Sequence, residues 1–495
     1  MNHSTILDNT PILAGVAAIR QKTGELNAMD EAVVLMQKAV QAAAKDAGNE
    51  NLLQKIDRIG VPQGFWQYSD PGRLVAEAVG SPQAHTCLAA IGISQQALIN
   101  DACQQIADGR AAVTVVTGGE AKYRSLQGKI QNNAVTDTDQ QDQQPDHHWK
   151  SDDRLWSVLE EQRGLLMPVE FYALIESAIC TASGRSMAEH RRYLGELYAS
   201  FSEKAASEPS AWFEQPLEAW QISEPSDKNP YLAFPYTKKH NSQWNVNQSA
   251  ALIFCSAAKA RELGLDPSRW IFPLACAQSD YMLPLSERPQ LHRHRGMAEC
   301  ARAVFDVTGL GIKDIDFADL YSCFPSAVQS HALDIGLPST MPLTQTGGMA
   351  FYGGPLNNFV MQSTAVMVQL LRRHPGKTGL VSCISGINNK QGLSLYSSKP
   401  PTELYQTQDV TDKTRAAMPP VASQADYQGS ATLLAATVVF SNKVPSHAFA
   451  IGQTPNGKRV VCRSSEPALM ALLQTQDKNG SVIDVCADGQ FSFRE

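Results

Sequence analysis

The sequence predicts an α/β protein built of layered sheets and helices, and three observations carry that expectation. Apolar strands alternate with amphipathic helices in two separate runs, about residues 11–120 and 270–400. The two runs echo each other: Gly109 to Gly119 and Gly376 to Gly386 each lay out a basic residue, an apolar strand and a closing glycine over ten positions. A polar and then helical stretch separates the runs, and a short β-rich tail follows them.

Composition bounds what such a protein does. With 495 residues and 43% apolar side chains the chain can bury a sizeable core, in about three domains at ~150 residues each. Charged residues make up 18%, below the usual ~25%, which points to extensive buried surface or an oligomer. Forty-two Lys and Arg against 49 Asp and Glu leave a net charge of −7, which argues against a general nucleic-acid binder. No apolar run approaches the ~18 residues of a membrane span; the longest candidates are Ala431–Phe440 and Ser249–Ala257. Met1-Asn2-His3-Ser4-Thr5 has no basic segment followed by an apolar one, so no secretory signal is expected. The ten cysteines show no CxxC spacing and sit mostly in apolar runs. They read as reduced, buried thiols of a cytoplasmic protein, with no disulfide framework and no metal site.

In chain order, Pro11–Val16 predicts a first strand. Met29, Ala32, Val33, Met36, Val40, Ala43 and Ala47 then form one helical stripe. Ile56–Val61 predicts a strand, Arg73–Val79 a helix and His85–Ile91 a buried strand. Ser94 is placed to cap a helix running to about Ala107. Val113–Val116 predicts a strand stopped by Gly118-Gly119. Asn132–Asp153, rich in Gln, Asp and Asn, reads as a long exposed loop, and its His147-His148 pair as solvated. Pro168–Ser207 is helical, with a capping box starting at Ser186. Ser249–Cys255 returns to a strand. The second run gives strands at Phe272–Ala275, Ile315–Leu320 and Leu380–Ile384. Its helices fall at Gly296–Thr308, Pro325–Ile335 and Phe359–Arg373. Thr411–Gln428 reads as a linker. Four short strands, Ala431–Phe440, Ala448–Gly452, Arg459–Arg463 and Ser481–Val485, and a helix at Glu466–Gln474 make a small β appendage.

These stretches resemble the thiolase superfamily. The resemblance rests on Phe234-Pro235-Tyr236-Thr237-Lys238, on Asp319-Leu320-Tyr321-Ser322-Cys323-Phe324-Pro325-Ser326-Ala327-Val328, and on Thr346-Gly347-Gly348-Met349-Ala350-Phe351-Tyr352-Gly353-Gly354-Pro355. It points to thiolase-like proteins of type 1, related to sterol-carrier-protein thiolases and carrying an additional C-terminal domain. The fold it implies is two tandem α/β halves in a five-layered αβαβα sandwich, with a helical loop domain and a small OB-like β-barrel. The implied boundaries are 1–120 with 231–265 for the first half, 121–230 for the loop domain, 266–410 for the second half and 430–495 for the appendage.

Four thiolase motifs can be sought. A nucleophilic Cys at a helix N-terminus, stabilised as thiolate by dipole and amides, falls on Gly92 when counted back from Gly109. The nearest thiol, Cys87, lies within the predicted strand and reads as structural. The His of Gly-His-Pro is replaced by Gly354. Both losses agree, since a base without a nucleophile has no task. The Cys of the glycine-rich turn matches Cys383, and the oxyanion-hole position carries Tyr321. Cys383 can equally be a core thiol, and Tyr321 a packed tyrosine.

The resemblance therefore implies a protein of the acetyl-CoA acetyltransferase superfamily that binds or acts on acyl-CoA thioesters, with coenzyme A thioester as ligand and no covalent cofactor. A pocket between the loop domain and Gln243–Ser249 would use Trp244, Asn245 and Ser249, with Gly92 and Gly354. Three alternatives stay open. One is retro-aldol cleavage of a hydroxyacyl-CoA using Tyr321 and Tyr352, which needs a base and an oxyanion hole but no acyl-enzyme. Another is residual acyl transfer with Cys383 as base. The last is a non-catalytic subunit of a partner thiolase; a homodimer is the other association expected.

Overall fold

Strands buried on both faces read as unbroken apolar runs, and two such strands open the fold. Pro11–Arg20 pairs antiparallel with Asn247–Ser256, which pairs antiparallel with Val113–Ala121. The sheet continues in parallel through Arg58–Pro62, His85–Ala89 and His147–Trp149. The computed structural model describes residues 6–140 and 143–494, so the reading of Met1–Thr5 lies outside the described residues. No helix among the described residues is long and apolar enough to cross a membrane.

Two expectations change in this sheet. The strand starting at Val113 runs through Gly118-Gly119 to Ala121 instead of stopping there. The glycines allow close approach: a Cβ on Gly118 would stand 2.8 Å from Asn358 Oδ1, and one on Gly119 would stand 2.8 Å from Ser249 Cβ. The polar loop also contains a strand, His147–Trp149, paired with Cys87–Ala89. Its outer edge is the end of the sheet, so its two histidines remain exposed and the segment reads as polar.

The second sheet has the order Phe317–Asp319, Thr378–Ser385, Lys390–Ser397, Phe272–Ser279, Thr407–Asp409. Helices Gln95–Ala107 and Phe359–Arg373 lie between the two sheets. Ala32–Asp46 and Pro71–Val79 cover the outer face of the first, and Arg295–Thr308 with Pro325–Ile335 that of the second. Helix, sheet, helix, sheet and helix thus make five layers. The glycine-bounded echo has a topological counterpart. Val113–Ala121 and Thr378–Ser385 each follow a central helix, pair antiparallel with the next long strand, and reach the first strand of their half through it. Lys390–Ser397 escaped the sequence pattern because its polar side chains are buried. Gln391, for example, accepts from His331 Nε2 through its Oε1 at 2.7 Å and donates through Nε2 to Asn388 Oδ1 at 3.1 Å.

Helices Pro168–Ser183 and Met187–Ala206 lie over one end of this sandwich. The Ser186–Glu189 capping box starts the second of them. One further expectation changes near the C-terminus: the linker holds a helix, Thr411–Ala417, closed over the second sheet. The appendage is a sheet in the order Arg459–Ser464, Val444–Gln453, Gly429–Ser441, Val482–Val485, Phe491–Phe493, with helix Pro467–Leu473 beside it. The first and last strands of that order meet at one bridge, Arg463 with Gln490. The appendage docks on the body. Val439 pairs with Ala233, Phe234 N–H donates to Val438 O at 2.8 Å, and Thr437 Oγ1 donates to Phe234 O at 2.8 Å. Asn479 Nδ2 donates to Ser177 and Thr181 on the Pro168–Ser183 helix.

Candidate functional site

A helix start leaves its first backbone N–H groups without intrahelical partners. Ser94 stands at the cap of the Gln95–Ala107 helix, but its side chain caps none of them. Its Oγ instead lies 3.4 Å from Cys383 Sγ, and the N–H groups of Gln95 and Gln96 hydrogen-bond to the same sulfur. The thiol from the second half therefore performs the capping. Gly392, opposite Cys383 in the neighbouring strand, lets the helix come this close: a Cβ there would stand 2.6 Å from Gln96 Cβ. Burial pushes the Cys383 thiol up to about 11, while Ser94 and the two amides pull it down. Burial wins, and the thiol is neutral at pH 7.

Gly92 precedes this helix in a left-handed conformation, φ +101°, and a Cβ there would stand 3.6 Å from Ser151 Cβ. Cys87 is buried in its strand, where burial pushes the thiol up to about 12 despite nearby Arg58. At Gly354 a Cβ would stand 3.2 Å from Ser242 Cβ and 3.3 Å from Met349 Cε, so these side chains already fill the space a larger residue would need.

Gln95 ties the surroundings together. Its Oε1 accepts from Val360 N–H at 2.9 Å, and its amide donates to the Tyr321 hydroxyl. The Tyr321 ring meets Phe359 edge-on, with centroids 6.0 Å apart. Tyr352 meets Phe359 at the same separation, but its hydroxyl is bonded to Ser210 Oγ at 2.7 Å. Both tyrosine hydroxyls are pushed up by burial. The two rings thus share one aromatic neighbour while their hydroxyls go to different partners.

Gly354 N–H donates to Gln243 O at 2.8 Å, which brings Trp244 and Asn245 beside that turn. Trp244 is half exposed. Lys122 Nζ stands 3.2 Å from its ring centroid and 3.9 Å from that of Phe65. Ser249 is fully buried, its hydroxyl donating to Gly118 O at 2.7 Å. Gly92, Cys383 and Tyr321 therefore gather around Ser94 and Gln95, while Trp244, Asn245 and Gly354 gather around Gln243.

The sequence reading missed several polar groups here. Glu120 is buried beside Lys122 and accepts from Phe65 N–H at 2.8 Å; burial raises its carboxyl to about 7. Lys390 has only 3% of its side chain exposed, yet its Nζ lies 2.7 Å from Asp153 and 3.2 Å from Ser151 Oγ. Burial raises Asp153, but Lys390 and Ser151 outweigh it and hold the carboxyl below its usual range. A lysine next to the Cys383 turn and a Gln-Gln pair just inside a helix start were the available signals. A groove of about 520 Å³ runs beside the helix from Ile93 to Gln104, with Trp149 and Asp280 in its walls. A larger cavity, about 640 Å³, opens at the other end of the second sheet around Asp316 and Thr378.

The family model described as the thiolase-like protein type 1 additional C-terminal domain matches residues 409–490. A monomeric SCP2-thiolase-like protein type 1 from Mycobacterium smegmatis has the same fold. It is 25% identical, with 99% of this chain and all of that one covered, at a TM-score of 0.85. A structure described as an Ltp2–ChsH2(DUF35) aldolase is 19% identical over 80% of this chain and all of its own, at 0.61. An acetyl-CoA acetyltransferase from Syntrophomonas wolfei is 19% identical over 79% of this chain and all of its own, at 0.56. No curated protein sequence matches. Residues 409–490 thus match the additional C-terminal domain of thiolase-like proteins type 1, and the chain as a whole shares the fold of the SCP2-thiolase-like protein type 1.

Proposed function

We propose that this protein binds acyl-CoA thioesters without forming a thiolase acyl-enzyme. The observation that carries the reading is the Gly92–Ser94–Cys383 arrangement: the polar helix start and the thiol of the second half are assembled, while the position expected to supply a nucleophile has no side chain. The filled space at Gly354 supports it, because an imidazole base there would displace Met349 and Ser242. The 520 Å³ groove is large enough for part of a pantetheine arm. Trp244 with Lys122 offers an aromatic face and a cation at the Gly354 rim. Ten free cysteines fit a reducing, cytoplasmic setting.

Calorimetric titration tests this. Coenzyme A and acetyl-CoA should bind at a single site, and Trp244→Ala should weaken both. Absence of binding by either ligand would overturn the reading. Retro-aldol cleavage of a hydroxyacyl-CoA is the second reading, favoured by the Tyr321 hydroxyl standing at the Gln95 amide beside Cys383. It requires release of a carbonyl product from a β-hydroxyacyl-CoA, lost in Tyr321→Phe.

A further inference from the structure

Lys390 and Cys383 lie on the same face of the second sheet. Cys383 pairs with Gly392 and Ser385 pairs with Lys390, so the lysine is the diagonal cross-strand neighbour of the thiol. That face meets the start of the Gln95–Ala107 helix, where the sulfur takes the Gln95 and Gln96 amides. The ammonium reaches from this buried face to Ser151, and Ser151 is the side chain that stands against Gly92. Two segments distant in sequence thus put a hydroxyl, an ammonium and a carboxylate beside Gly92, the place that lacks a nucleophile.

A buried lysine is costly unless its charge is matched. Asp153 matches it at 2.7 Å, and Asp280 faces it from the Phe272–Ser279 strand end. Ser151 donates to Asp153 Oδ2 at 2.7 Å and accepts from Lys390, so the three side chains hold one another in position. An ammonium has three N–H donors, and Asp153 and Ser151 engage two of them. The remaining donor is a preorganised hydrogen bond for a developing or partial negative charge.

We propose that Lys390 is the donor that binds the acyl oxygen of a thioester at the Gly92 position, and that Ser151 and Asp153 position it. This inference rests on the acyl-CoA reading given above. It assigns to the site a fixed cation in place of a nucleophile. Such a cation binds the carbonyl and stabilises an enolate oxygen without any covalent step.

Paired ligands that differ only at the carbonyl test the assignment. Acetyl-CoA and S-ethyl-CoA, in which a methylene replaces the carbonyl, are titrated into wild type, Lys390→Met, Lys390→Arg and Ser151→Ala. Wild type should prefer acetyl-CoA by about tenfold or more, as a hydrogen bond to a charged donor allows. Lys390→Met should bring acetyl-CoA down to the level of S-ethyl-CoA and leave S-ethyl-CoA binding unchanged. Lys390→Arg should retain part of the preference, and Ser151→Ala should lose part of it. A structural role for Lys390 would weaken both ligands alike, and that result, or an unchanged preference, overturns the proposal while the acyl-CoA reading stands. Wild type binding neither ligand overturns both. If Lys390→Met does not fold, the carbonyl preference of Ser151→Ala and Lys390→Arg decides the question.

Discussion

Cys383 Sγ and Ser94 Oγ stand 3.4 Å apart across the seam between the two halves, and the sulfur also takes the Gln95 and Gln96 amides. One side chain of the second half thus completes the start of a helix of the first. The halves are joined at the same point where the candidate chemistry would occur.

Replacing Cys383 by Ala should therefore destabilise the whole sandwich. Two helix N–H groups lose their acceptor and a small cavity opens, at a cost of about 1–3 kcal/mol. Cys383→Ser should cost less. Denaturant unfolding of the two variants measures the difference, and equal stability of Cys383→Ala and wild type would contradict the capping role.

Gly392→Ala acts on the same contact from the neighbouring strand. Its Cβ would stand 2.6 Å from Gln96 Cβ and 3.1 Å from Cys383 Cβ. The helix start must move away, and we expect a loss of about 1–3 kcal/mol, the range of overpacked cores. The melting temperature should fall with it.

Neither Cys87 nor Cys383 should take up an acetyl group from acetyl-CoA at pH 7. Burial holds Cys87 at about 12 and Cys383 at about 11, so the thiolate fraction is minute. Peptide mass mapping after incubation should show both thiols unmodified, and alkylation of Cys383 should rise only as pH approaches 11. A stoichiometric adduct at Cys87, absent in Cys87→Ser, would restore an acyl-enzyme.

Glu120 gives a pH dependence with a definite sign. Its folded value of about 7 lies above the unfolded carboxylate value, so the folded protein binds the proton more tightly. This contribution is present in full below about pH 4.3 and is lost as pH rises towards 7. Its ceiling is about 4 kcal/mol. Glu120→Gln keeps an acceptor for Phe65 N–H and removes the titration. The variant should lose less stability than wild type between pH 5 and 8, as read from melting curves.

Deleting residues 426–495 should lower the melting temperature of the body or make it aggregate. The deletion strips one of the two strand partners from Tyr231–Ala233 and uncovers the Ser177 side of the Pro168–Ser183 helix. A truncated protein that melts unchanged would mark the appendage as an independent unit.

Most of the layered architecture was legible because apolar periodicity records burial. Pro325–Ile335 and Phe359–Arg373 run as their capping and breaking residues predict. Lys390–Ser397 was not legible, since its burial is satisfied by polar partners rather than apolar ones. Gly118-Gly119 misled for a related reason: a glycine that stops a strand and a glycine that admits Asn358 look alike in one dimension. At the site, Gly92, Gly354 and Cys383 were found through the thiolase resemblance. Ser151 and Lys390 were not, because 239 positions separate two side chains that meet only in the folded chain.

The His147–Trp149 strand changes what the margin of the first sheet offers to other chains. Without it, Cys87–Ala89 would present unpaired N–H and C=O groups, the usual template for strand addition and aggregation. With it, the outermost strand is three residues long and bears exposed His147 and His148. An arriving strand finds a ladder too short to hold its register. The polar insertion is thereby a protective hem, guarding the sheet against runaway growth during synthesis and at high concentration.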